Sequence, residues 1–92
     1  MESWILGDRR NIYTVVSAAL GPDPILSDAT YEVFDTADES VVASGAANIS
    51  NLIVYFLWEP EDTGVYVARI YYNILDEQFT AHQIIEVKEI IV

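Results

Sequence analysis

The sequence predicts an all-β protein, an antiparallel β-sandwich of seven to eight short strands, on three observations. Residues alternate at period two from Ala29 to Asp35, and the same period sorts Val65 to Ile74 into one face with Tyr66, Ala68, Ile70 and Tyr72 and another with Val65, Val67, Arg69 and Tyr71, the spacing that lines one face of a strand. Turn signals break the chain roughly every 8–12 residues, the rhythm of a sandwich. Asn11 to Ala19 is rich in β-branched and aromatic residues and carries no helical spacing.

In chain order, Trp4-Ile5-Leu6 reads as a short edge strand stopped by Gly7-Asp8. Asn11 to Ala19 is a second strand, ended by Gly21-Pro22-Asp23-Pro24. From Ala29 to Asp35 the alternation sets Ala29, Tyr31 and Val33 toward the core and Thr30, Glu32 and Phe34 away from it. The polar turn Thr36 to Ser40 leads to a hairpin partner, Val41 to Ser44, which Gly45 breaks, and Ala46 to Ile49 is a weaker strand. Leu52 to Trp58 is apolar throughout and Pro60 stops it. Val65 to Ile74 places Tyr66, Ala68, Ile70 and Tyr72 on the inner face. Asp76-Glu77 turns the chain into a last strand, Phe79 to Val92, with a bulge expected near Ile84-Ile85 where the alternation slips. The expected core is Tyr66, Ala68 and Ile70 with Tyr31, Val33, Ile53 and Tyr55 opposite. Trp4, Phe34, Phe56, Trp58 and Tyr71 fall on outward positions or at strand ends, where they either close the ends of the core or form a binding patch.

Composition bounds the function. Ninety-two residues, 52% of them apolar, make one domain over 1–92 with enough material for a core. The absence of cysteine leaves stability to packing and hydrogen bonds. Fifteen acidic residues against four basic ones give a net charge of −11, which repels phosphate backbones and anionic headgroups and argues against nucleic acid or membrane as partner. Met1 to Arg10 lacks the basic and apolar regions of a signal peptide, and nothing later approaches the roughly 20 apolar residues of a membrane span.

The stretch Asp62-Thr63-Gly64-Val65-Tyr66-Val67-Ala68 is a turn followed at once by a strand with a tyrosine at its start. It resembles the D-x-G-x-Y-x-C signature of immunoglobulin-like domains, in which the turn joins strands E and F and the tyrosine sits at the corner. The resemblance implies an immunoglobulin-like sandwich, with Ala68 where the family has a cysteine. Asp62 is then a turn residue whose side chain caps backbone N–H groups.

Residues that carry chemistry are few. His82 has no serine or cysteine near it in sequence and reads as a solvated strand residue, and one histidine without cysteine cannot hold zinc. Gly7, Gly21, Gly45 and Gly64 stand singly in turns and build no phosphate loop. An immunoglobulin-like topology would bring Glu59, Glu61 and Asp62 to the same end as Asp35, Asp38 and Glu39. Such acids could hold calcium, but their spacing matches no calcium loop and solvated turns are the preferred reading. A carboxylate pair for glycoside cleavage would need a cleft that a small sandwich does not offer. Asn48-Ile49-Ser50 matches the glycosylation sequon, read here as a chance match. No catalytic residue, cofactor or metal is expected.

Trp4 with Gly7-Asp8, Ala29-Tyr31-Val33, Ser44-Gly45-Ala46 and Tyr55-Phe56-Leu57 leading to the corner together resemble small immunoglobulin-like proteins of tailed bacteriophages, including the N-terminal domain of baseplate upper proteins. The resemblance implies a non-catalytic structural or interaction module of a phage or prophage virion (tail, baseplate or head-tail), made in the bacterial cytoplasm and working through protein-protein contacts. The alternative is an extracellular adhesive or carbohydrate-binding domain, which outward aromatics beside carboxylates would suit. The apolar end Ile90-Ile91-Val92, together with Trp4, is the expected interface, to a protein partner or to a second copy in a homo-oligomer or larger assembly.

Overall fold

In the computed structural model, which describes residues 1–17 and 21–89, the alternating segments form eight strands. They are β1 (Glu2–Ile5), β2 (Arg10–Val15), β3 (Leu26–Asp35), β4 (Val41–Ala46), β5 (Asn48–Ser50), β6 (Ile53–Trp58), β7 (Gly64–Ile74) and β8 (Glu77–Lys88). One sheet has the order β1-β8-β7-β3-β4 and the other β2-β6-β5. All pairings are antiparallel except that of β1 with β8, which is parallel. With β2, β5 and β6 in the places of strands B, D and E, and β3, β4, β7 and β8 in those of C, C′, F and G, this is an immunoglobulin-like sandwich. β1 is an edge strand, as its shortness suggests.

The core forms where the inner faces of the two sheets meet. Trp4, Phe56, Val33, Val54 and Ile85 are its largest fully enclosed side chains, each stabilising the fold by about 1.5–3 kcal/mol through burial. On β7 the expected alternation holds, with Tyr66, Ala68 and Ile70 buried. On β6 it runs the other way from the expectation: Val54, Phe56 and Trp58 are buried while Ile53 is 40% exposed and Tyr55 faces outward with it. A run that is apolar at every position satisfies either register, and the pairing of Tyr55 with Tyr13 and of Val54 with Thr14 decides between them. Phe56 then stacks on Tyr31 with ring centroids 3.9 Å apart.

Several boundaries differ from the sequence reading for local reasons. β3 begins at Leu26, three positions before Ala29, because its register with β7 shifts between Ser27 and Thr30 and lets Asp28 adopt φ 52°. Gly45 does not end β4. It pairs with Tyr31, whose ring lies in contact with it, 3.4 Å from the position a Cβ would take. The last hairpin turns at Leu75-Asp76 rather than Asp76-Glu77, since Ile74 pairs with Glu77. β7 and β8 pair without a shift from Gly64–Val87 to Ile74–Glu77, so no bulge occurs at Ile84-Ile85, and Ile85 points inward while Ile84 points out. Of the expected second strand, residues 18 and 19 lie outside the described residues, as do Ile90, Ile91 and Val92 of the last.

Candidate functional site

The corner forms as the motif implies. The Tyr66 hydroxyl donates to the Asp62 carbonyl at 2.9 Å, so the main chain of Asp62, not its carboxylate, makes the contact. Trp58 meets the Tyr66 ring edge-on at 5.1 Å, and Trp4 lies against Trp58 at 5.5 Å. Burial, and after it the charges of Asp35 and Asp62, push the Tyr66 hydroxyl above its usual 10.0. Asp35 and Asp38 each accept a hydrogen bond from a backbone N–H two residues on, and Ser40 also donates its hydroxyl to Asp38 at 2.7 Å, which lowers the Asp38 carboxyl. Charges of both turns therefore reach Tyr66, yet no three acids or histidines come together as a metal-holding group among the described residues.

Trp4, expected at an interface, is instead packed into the core. It is 1% exposed, its indole N–H donates to Glu2 at 2.8 Å, and the Arg10 guanidinium covers its ring at 4.5 Å. Arg10 is held in turn by the Ser3 carbonyl and by Asp8. A short apolar triplet has no periodicity to show its inner face. The parallel pairing of β1 with β8, which sets Trp4 beside Val87, turns it inward.

The outer face of the five-stranded sheet carries a different feature. Register aligns Val41 on β4, Phe34 on β3, Val67 on β7 and Ile84 on β8 into one apolar belt across four strands. Its two ends are the most open, Val41 at 49% and Ile84 at 48% exposed. The next row holds Ser44, Glu32, Arg69 and His82. Arg69 lays its guanidinium over the Phe34 ring at 4.8 Å and has no ion-pair partner among the described residues. Belt and row border two shallow depressions, one of about 400 Å³ reaching Asp35 and Glu39 and one of about 360 Å³ reaching Tyr71 and Thr80. His82 sits in this face opposite Arg69 and lines the second depression with Thr80.

Sequence reasoning set Phe34, Val67, Arg69 and Tyr71 on outward positions but did not join them, because a row across a sheet exists only once the register of each pair is known. Ile84 was hidden by the expected bulge. The parity of each strand was the available signal.

No helix among the described residues is long and apolar enough to cross a membrane. Compared with known proteins, the chain matches no family model, no curated protein and no solved structure.

Proposed function

We propose that this chain is a non-catalytic interaction module that binds a protein partner through the outer face of its five-stranded sheet. The observation that carries the reading is the Val41–Phe34–Val67–Ile84 belt with Arg69 stacked on Phe34. A half-exposed apolar band beside a guanidinium that has no carboxylate partner among the described residues has the composition of an interface centre, where aromatic residues and arginine contribute most of the binding energy. The shallow topography suits a protein surface better than a small molecule, which requires a concave site. The resemblance of the sequence to immunoglobulin-like proteins of tailed bacteriophages favours a virion component as the setting, with the partner another protein of the particle.

Gradient sedimentation of the tagged chain from its source cell tests both levels. The wild type is expected in a large complex, and in the virion setting it travels with particles. Ile84→Glu, at an exposed position that leaves the fold intact, is expected to shift it to the free fractions. A wild-type chain that sediments as free protein, or an Ile84→Glu variant that stays in the complex, would overturn the proposal.

A further inference from the structure

The opposite face, on the three-stranded sheet, differs from the rest of the surface in its chemistry. Tyr13 and Val15 on β2 and Ile53, Tyr55 and Leu57 on β6 point outward from it, and Tyr13 and Val15 are each 61% exposed. Asn11 lies beside Leu57, Asn48 beside Tyr55 and Ser50 beside Ile53. None of these side chains is charged, in a chain with fifteen acidic and four basic residues. The centre of the face is a shallow depression of about 470 Å³ lined by Asn11, Tyr13, Ser50, Ile53 and Tyr55.

We infer that this face binds a second copy of the chain, sheet against sheet about a two-fold axis. Such an axis brings a patch against itself, so a charge near the axis meets its own like. For a chain of net charge −11 this disfavours a face with carboxylates near its centre. The five-stranded face, with Glu32 and Glu86 on its outward rows, is such a face. The three-stranded face is self-complementary. Its asparagine, serine and tyrosine side chains are each both donor and acceptor, so two copies can satisfy one another without a second chemistry. Val15, Ile53 and Leu57 supply apolar area that is exposed among the described residues. Stacked sheets settle about 10 Å apart, a spacing that interdigitating tyrosine and branched side chains fill. The remaining charge of each copy still opposes approach at long range, and salt screens it.

This contact goes beyond the partner reading above and uses the other sheet, so the two can fail separately. Sedimentation equilibrium of the full chain, from low micromolar to millimolar protein, is the test. The expected result is a monomer–dimer equilibrium whose Kd falls several-fold between low and half-molar salt. Tyr13→Glu and Val15→Lys should each weaken the dimer by at least tenfold while leaving the circular dichroism and melting temperature near those of the wild type, since both positions are largely exposed. Ile84→Glu, on the opposite sheet, should dimerise as the wild type does. A chain that stays monomeric throughout, a dimer that high salt dissolves, or one that neither Tyr13→Glu nor Val15→Lys loosens would overturn the inference.

Discussion

Ala68 shows how little latitude a buried position leaves. It stands where immunoglobulin domains carry a cysteine, pairs with Val33 on one side and Gln83 on the other, and is 1% exposed. Ala68→Asp buries a carboxylate with no partner, a cost of several kcal/mol against a total of about 5–15. A loss of about 3 kcal/mol lowers the melting temperature of a domain this size by roughly 12–24 °C. A variant melting within a degree or two of the wild type would reject the packing. Tyr66 is legible in acid-base behaviour. Its folded pKa lies above its unfolded one, through burial first and then the Asp35 and Asp62 charges. The contribution is therefore present below about pH 10 and is lost as pH rises through the folded value. Tyr66→Phe should cost about 1 kcal/mol at neutral pH by removing the bond to Asp62, and its stability should fall less steeply than that of the wild type in an alkaline melting series. Parallel curves would contradict the assignment. Tyr66, Ala68 and Ile70 could be read from sequence because the corner motif fixes Tyr66 and Ala68 on the inner face and Arg69 marks the outer one. Ile53 to Trp58 could not, because an all-apolar strand carries no parity and its partner decides which side is buried.

At the scale of elements, the strands were legible and their turns and register less so. Gly45 reads as a breaker, since glycine weakens a strand, yet it is the residue that lets the Tyr31 ring lie flat against β4 and stack on Phe56. A Cβ at Gly45 meets that ring at ordinary contact distance, but the γ-methyls of Gly45→Val reach beyond it and should press on the ring, a cost of about 1–3 kcal/mol as overpacking. Unchanged denaturant unfolding would show that the ring has room to spare. The β7–β8 turn was misplaced because it lacks the glycine or asparagine that marks such turns. Leu75 occupies φ 55° and is 87% exposed, so its side chain makes the left-handed conformation costly and packs on almost nothing. Leu75→Gly should therefore raise stability by about 1 kcal/mol. A melting temperature below that of the wild type would mean that the leucine contributes packing the turn depends on.

Over the whole molecule, the parity that builds the core also produces two outer faces with different chemistry. One presents an apolar belt with an arginine and acids beside it, the other apolar and tyrosine side chains with amides and a hydroxyl and no charge. Fold class was legible from alternation and the corner motif. The faces were not, because each is assembled from strands distant in sequence whose register only the sheet reveals, and the interface expected at Trp4 gave way once pairing turned that residue inward. On the proposals above, the five-stranded face meets another protein and the three-stranded face a second copy. Photo-crosslinking in the source cell, with a benzophenone side chain at position 34 in one variant and at position 13 in the other, reads both at once. Position 34 is expected to capture a different polypeptide and position 13 the chain itself. The same product from both positions, or no product from either, would contradict it.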